Sequence, residues 1–213
     1  MKLALIGASG FVGAAVLQEA LNRGHQVSGI VQHPEKLPQH ANLTPLKVDA
    51  YDAGAIAQAV AGHDAVISAF NPGWGKADIL TLFLRGSQAI VAGVKRAAVK
   101  RLLVVGGAGS LYVAPGLQLI DTPGFPADYK EGAEGARQAL QQLREEHRLD
   151  WTFLSPPALL QPGERTGQYR RGGEQLLMNG ETPANISVAD LAVAILDELE
   201  KPQHRQQRFT VGY

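Results

Sequence analysis

The segment Gly7-Ala8-Ser9-Gly10-Phe11-Val12-Gly13 constrains this chain more than any other. It follows a short apolar run, Lys2 to Ile6. It opens a stretch, Phe11 to Asn22, in which Val12, Val16 and Ala20 recur at helical spacing and Gly24 stands just past the end. A strand therefore runs into a helix through a glycine turn. The spacing is G-x-x-G-x-x-G rather than G-x-G-x-x-G, but the physics is shared. Gly7 permits the tight turn, Gly10 lets the backbone approach a pyrophosphate, and Gly13 lets the helix lie close to the sheet. The helix N-terminus then offers free N–H groups and partial positive charge to phosphates, and Ser9 adds a hydroxyl donor. The alternative is a plain glycine-rich turn. The position of the segment and the repeating strand–helix pattern favour a dinucleotide.

That pattern continues down the chain. Apolar runs at Gln26–Val31, Leu46–Val48, Ala65–Ser68, Leu102–Val105, Trp151–Leu154 and Phe209–Val211 read as strands. Asp52 to Ala61, Asp78 to Ala98, Glu131 to His147 and Ser187 to Glu200 read as helices, with Asp52 and Ser187 placed as N-caps. Ala108 to Tyr129 has no period, and long loops in compact domains are usually functional. Alternating strands and helices imply an α/β fold: a doubly wound, mainly parallel sheet. No linker interrupts residues 1–213, so the chain reads as one domain, with residues 156–186 contributing most of a small C-terminal substrate lobe.

Charge and composition exclude several classes. Twenty Lys and Arg balance twenty Asp and Glu, which argues against nucleic acid or an anionic membrane as partner. There is no Cys, so disulfides and thiolate sites are excluded. The apolar run at Met1–Ile6 breaks at Gly7, too short for a signal peptide, and no run approaches a membrane span. The expectation is a cytoplasmic monomer or homodimer. The six histidines lack ligand spacing, so no metal site is expected.

Enzymes that prefer NAD usually place an acid near the end of the second strand. Here that region is Ile30-Val31-Gln32-His33-Pro34-Glu35-Lys36. No acid ends the strand, and His33 and Lys36 stand where a 2′-phosphate would lie. The cofactor is NADP or NAD, with a slight lean to NADP.

Further motifs follow in order: Val48-Asp49, Val66-Ile67-Ser68-Ala69, Gly106-Gly107-Ala108-Gly109-Ser110-Leu111, Trp151-Thr152-Phe153-Leu154-Ser155-Pro156 and Pro162-Gly163-Glu164-Arg165-Thr166-Gly167. Together with the glycine turn they resemble the atypical short-chain dehydrogenase/reductases with an NAD(P)-binding Rossmann domain. The resemblance is strongest to the bacterial NADH-flavin reductase group, relatives of the flavin reductase/biliverdin-IXβ reductases and the NmrA-like proteins. It covers nearly the whole chain. It implies that Asp49 and Ala50 contact the adenine and that Ser68, Ala69 and Phe70 pass the ribose and pyrophosphate. It further implies that Gly106 and Gly107 face the nicotinamide and that Pro156 approaches the carboxamide. Gln32 stands where many relatives carry an Arg for the 2′-phosphate.

Most short-chain dehydrogenases reduce a carbonyl with a Ser and a Tyr-x-x-x-Lys pair, the Tyr giving the proton and the Lys lowering its pKa. Ser110 and Tyr129 match the first two. Ala133 stands where the Lys belongs, and Lys130 is displaced around the helix. Tyr112 has Gly116 at that spacing. The broken signature favours hydride transfer to a flavin-like or quinone-like acceptor, FMN for example, since the cofactor supplies the hard chemistry and the protein orients it. It equally suits an NmrA-like, NAD(P)-sensing regulator without catalysis, and it counts against an epimerase or dehydratase. Asn71, Trp74, Leu111, Tyr112, Phe125 and Pro157, beside Phe70 and Tyr129, follow strand ends and are the candidates for an apolar slot around a small-molecule acceptor.

Overall fold

The computed structural model describes residues 1–213. β1 (Lys2–Ile6) enters α1 (Phe11–Asn22), followed by β2 (Gln26–Val31), β3 (Leu43–Lys47), α2 (Ala53–Val60), β4 (Ala65–Ser68), α3 (Ile79–Arg96) and β5 (Arg101–Val105). A small antiparallel pair, β6 (Tyr112–Ala114) and β7 (Leu117–Gln118), precedes α4 (Ala127–Arg144) and β8 (Asp150–Ser155). The C-terminal part adds β9 (Leu159–Gln161), β10 (Arg170–Gly172), β11 (Met178–Asn179), β12 (Thr182–Pro183), β13 (Asn185–Ser187), α5 (Val188–Glu200) and β14 (Gln207–Gly212).

Eight strands form the central sheet in the order β10-β14-β8-β5-β4-β1-β2-β3. Only β10, on β14, is antiparallel. Successive residues of a strand point to opposite faces, and two cores result. Leu3, Leu5, Leu103 and Val105 pack with α1 and α5. Ala4, Ile6, Val66 and Leu102 pack with α2, α3 and α4. Burial on both faces explains why the strands read as continuous apolar runs rather than alternating ones. The fold is the doubly wound Rossmann type.

Three differences between the element bounds and the sequence reading bear on the site. β3 begins at Leu43, three residues before the expected start, and includes Pro45. It is the edge strand, where a missing N–H costs no ladder bond. α4 begins at Ala127 behind Pro126, so Tyr129 lies in the first turn of the helix rather than before it. Arg101, one residue before the expected strand start, is buried in β5, where its guanidinium bonds the Asp150 carbonyl, Thr152 Oγ1 and Glu198 Oε1. The two expected caps hold: Asp52 Oδ1 accepts from the amides of Gly54 and Ala55, and Ser187 Oγ from that of Asp190.

Candidate functional site

The strand order reverses between β1 and β4, and ligands of open α/β sheets bind at such a switch point, outside the carboxyl ends of the strands. The glycine turn lies there. Gly7 has φ +80°, and a Cβ on it would stand 2.7 Å from the Ala69 carbonyl oxygen. A Cβ on Gly13 would stand 1.9 Å from the Gly7 carbonyl oxygen. The chain's own backbone therefore requires both. Gly10 is different: it is exposed, and a Cβ there would meet only the Gly7 carbonyl oxygen, at 3.4 Å.

Gly10 is the N-cap of α1, with no side-chain cap and no acid in the first turn. The amides of Phe11, Val12 and Gly13 find no acceptor in the chain. Helix starts are normally closed by Ser, Thr, Asp or Asn. Open donors in a concave turn bind an anion, and a pyrophosphate has the oxygens to satisfy them. Ser9 is exposed beside them.

On one side of the turn lie the residues the resemblance assigns to the adenosine. Gln32 is exposed at the end of β2. His33 Nδ1 lies 3.1 Å from Glu35 Oε1, so an acid shares the site where a 2′-phosphate was expected. Lys36 is exposed without an ion pair. Asp49 Oδ1 accepts from the Tyr51 amide at 2.9 Å, which fixes the turn and leaves Oδ2 open beside half-buried Ala50. Tyr51 lies under the Arg85 guanidinium, 4.8 Å from ring centre, and meets Phe70 edge-on at 5.7 Å. Ser68 is buried, and Ala69 closes on Gly7.

On the other side the sequence expectations divide. Gly106 is required by packing, since a Cβ would stand 1.9 Å from the Phe153 ring; at Gly107 the nearest contact is Ala136, at 3.7 Å. Ser110 is 3% exposed. Its Oγ accepts from Arg208 Nη1 at 3.1 Å and its carbonyl from Nη2 at 3.2 Å. The expected catalytic serine is thus held in the core by a buried guanidinium and does not face an open cleft. Leu111, Pro156 and Pro157 are also buried and back the site rather than line a slot. Tyr112 and Phe125 are half-buried. Asn71 is exposed and accepts from the Gly73 amide at 2.7 Å. Tyr129 is 50% exposed and meets Trp74 edge-on, with ring centres 5.1 Å apart. Ala133 is buried, and a Cβ on Gly109 would stand 3.0 Å from its methyl group. Helix α4 lies so close on the 106–110 loop that small residues are needed on both sides.

The exposed large apolar side chains are not scattered. Apart from Met1 they are Phe11, Trp74, Val113, Leu117, Tyr129, Leu159 and Met178. All but Met178, which follows β10, lie on chain that leaves the carboxyl end of β1, β4, β5 or β8. Among them Trp74 and Tyr129 are in contact, an exposed aromatic pair.

Comparison with known proteins agrees with this geometry. Residues 7–199 match the model of a family described as NAD(P)H-binding. The chain belongs to that NAD(P)H-binding family. It is 41% identical to the uncharacterized protein YwnB of Bacillus subtilis (strain 168), over 99% of this chain and 98% of that protein. A Bacteroides thetaiotaomicron protein, provisionally named an epimerase, has a solved structure with TM-score 0.92 and 43% identity, covering 100% of this chain and 96% of its own. A Streptococcus pneumoniae TIGR4 protein, provisionally named an NADH-flavin reductase, superposes with TM-score 0.87 and 36% identity, covering 100% and 99%. No helix of this NAD(P)H-binding chain is long and apolar enough to cross a membrane.

Sequence reasoning missed the network that fastens the segment around Pro162–Arg171 of this family member to α1 and α5. The motif Pro162 to Gly167 is a latch. Asp190, fully buried at the start of α5, accepts from the Thr166 and Gly167 amides at 2.9 and 2.7 Å, and from the Thr166 and Tyr213 hydroxyls. Arg165 grips Glu19 of α1 with two bonds, 2.7 and 2.9 Å. Arg170 and Arg171 are likewise held, by the Tyr213 carbonyl and Gln203. Burial pushes the Asp190 carboxyl up, but the bonds from Thr166 and Tyr213 and the amides outweigh it and hold the group below the usual range. The two Arg165 bonds, chiefly, do the same for Glu19. A depressed folded-state pKa means stability that is complete above the unfolded value, about 3.9 for Asp, and is lost as pH falls through the folded one. Melting temperature should therefore drop as pH falls below about 4. Asp190→Asn should lower it at neutral pH and flatten the acid limb. Melting curves of the two proteins across that range check this, and parallel acid limbs would contradict it.

Proposed function

We propose that the chain is an NAD(P)H-dependent reductase that delivers hydride to a planar acceptor of flavin or quinone type. The observation that carries this reading is buried Ala133 packed against Gly109. It occupies the helix position from which a lysine would activate Tyr129. Reactions that move a proton on carbon or oxygen in the hydride step need such a pair. Transfer to a flavin-like ring needs stacking and distance, and water can supply the proton afterwards. When bound, the dinucleotide supplies the hydride. The chain's own part is to hold the phosphates on the Phe11–Gly13 amides and to present an apolar mouth including Trp74 and Tyr129. The name of the Streptococcus relative accords with this; that of the Bacteroides relative calls for proton transfers that Ala133 disfavours.

The test is single-turnover oxidation of bound NADH or NADPH by FMN. Tyr129→Phe removes only the hydroxyl. Loss of a true general acid costs ~10²–10⁴-fold, and we expect less than about tenfold for flavin reduction. A hundredfold loss with unchanged binding would make Tyr129 an acid, supported by another cation such as Lys130. A second reading rests on buried Ser110: a protein that senses the dinucleotide without turning it over. Intact dinucleotide binding with no FMN reduction would select it.

Cofactor preference has its own test. Gln32→Arg puts a guanidinium fork at the open end of β2, able to pair a 2′-phosphate with two bonds. The ratio of NADPH to NADH affinity should rise, on the order of tenfold, about 1.4 kcal/mol. An unchanged ratio, read by calorimetric titration, would mean that residue 32 does not face the ribose.

A further inference from the structure

A cavity lies between α3 and α4 over β4 and β5, reaching from Ser68 at the carboxyl end of β4 to Arg96 and Arg148 at the opposite end of the sheet. Its volume is about 490 Å³, within the range of small-molecule sites. The two helices converge at their N-terminal ends. A Cβ on Gly132 would stand 3.1 Å from Ile79, and one on Gly135 2.8 Å from Phe83. Further along they are bridged by Gln88 to Gln142, at 3.4 Å, and by the Lys95–Glu146 ion pair. Between these contacts the facing residues include Ser87, Ala92 and Ala139, too small to fill the gap. The floor is apolar, with Ile90, Val104 and Leu143. Val104 is incompletely buried although its strand lies inside the sheet. At the inner end is Ser68, 4% exposed, whose hydroxyl makes a single weak contact, 3.5 Å from the Phe70 amide.

The mouth is charged unevenly. Lys95 and Glu146 satisfy each other. Arg96 and Arg148 also line the cavity, and neither side chain has a carboxylate partner. A shallow cleft sharing Lys95 and Arg148 brings in Lys100. Against these three unpaired cations stands one unpaired acid, Glu145. An apolar interior with a net positive mouth fits a ligand that is apolar along its body and anionic at one end. We infer that the α3–α4 cavity binds an amphipathic organic anion of the alkyl carboxylate class, its chain over Val104 and Leu143 and its head among Arg96, Arg148 and Lys100. Its charged mouth, at Arg96 and Arg148, lies at the opposite end of the sheet from the glycine turn, and the site stands whether or not the reductase reading does.

Decanoate, below its micelle-forming concentration, is the probe, with decanol as the uncharged control. Calorimetric titration of the full chain should show saturable binding of decanoate. Each methylene added from hexanoate to decanoate should tighten it by about three- to fourfold, the effect of burying that group. The double variant Arg96→Glu, Arg148→Glu lies on the surface and should fold. It should weaken decanoate at least tenfold and leave decanol unchanged. Ala92→Trp fills the cavity from its mouth and should remove binding of both probes while NAD(P)H affinity stays the same. No binding by the wild-type chain, or binding that survives Ala92→Trp, would overturn the inference. So would charge reversal that affects both probes alike. If Ala92→Trp instead turned a dimer into a monomer, the cavity would belong to a self-interface and the small-anion site would fall.

Discussion

Gly10→Val should abolish dinucleotide binding and leave the fold intact, whereas Gly13→Val should fail to fold. The two glycines sit three residues apart in one motif, and the structure separates their reasons. Gly13 is demanded from within: a Cβ there would lie 1.9 Å from the Gly7 carbonyl oxygen, and no backbone atom of a buried turn can yield that far. Gly10 has φ −75° and ψ 174°, extended backbone that suits a β-branched residue. Its Cβ would need only a small adjustment against a contact of 3.4 Å. Nothing in the chain forbids valine at position 10. On the proposed reading it is a pyrophosphate on the open amides of Phe11, Val12 and Gly13 that forbids it, because the side chain would stand between donors and acceptor. We expect more than a hundredfold loss in affinity for NADH and NADPH, about 2.7 kcal/mol, with an unchanged melting temperature in the absence of ligand. Titration calorimetry on the folded variant reads the result. Undiminished affinity would remove the phosphates from this turn.

What was legible in the sequence was local. The glycine turn, the Asp52 and Ser187 caps and the strand–helix alternation are all set by residues a few positions apart, and spacing displays them. The parallel sheet followed from the alternation, since strands that all return through helices pair side by side. Pro45 hid half of β3 because a proline is compatible with a strand only at an edge, and edge position is a property of the whole sheet. Pro126 similarly marked the start of α4 rather than a break before it, which moved Tyr129 onto the helix. Ser110 was misread for the same kind of reason. Its partner, Arg208, is 98 residues away, and no local spacing announces such a pairing. One signal was available: Arg208 directly precedes the apolar run Phe209 to Val211, and a charge carried into a strand buried on both faces must have a partner. The motif at Pro162 carried a family resemblance without its reason, which is the latch onto Asp190 and Glu19. The α3–α4 cavity was invisible because it is made by what Ser87, Ala92 and Ala139 lack.

Arg208→Met tests whether the loop after β5 is assembled from the core outward. The Arg208 side chain is fully buried, and it joins three separate pieces of chain. It bonds Ser110 Oγ and the Ser110 carbonyl of the loop after β5, Ser155 Oγ at 3.2 Å at the end of β8, and the Glu174 carboxylate just after β10. Glu174 is bonded in turn to Arg144 of α4. Burial pushes the Glu174 carboxyl up, and Arg208 and Arg144 together outweigh that and hold it below the usual range. Methionine fills much of the volume but leaves those oxygens without a donor. Removing one partner of a buried charged network costs roughly 3–5 kcal/mol. Glu174 is half exposed and can turn to water, so the lower end, about 3 kcal/mol, is expected. For a chain of this size that is a fall of ~6–12 °C in melting temperature. Dinucleotide affinity should weaken as well, because the loop carrying Gly106, Gly107 and Ser110 loses its anchor. Arg208→Lys should fall between the two, since one ammonium cannot span three groups as a planar fork does. The decisive comparison is with Gly10→Val, which should lose binding without losing stability. If Arg208→Met melts within about 2 °C of the wild type, a change of at most about 1 kcal/mol, then Arg208 does not hold the loop. Ser110 would then be free to turn into the cleft, and the case for a catalytic serine would reopen.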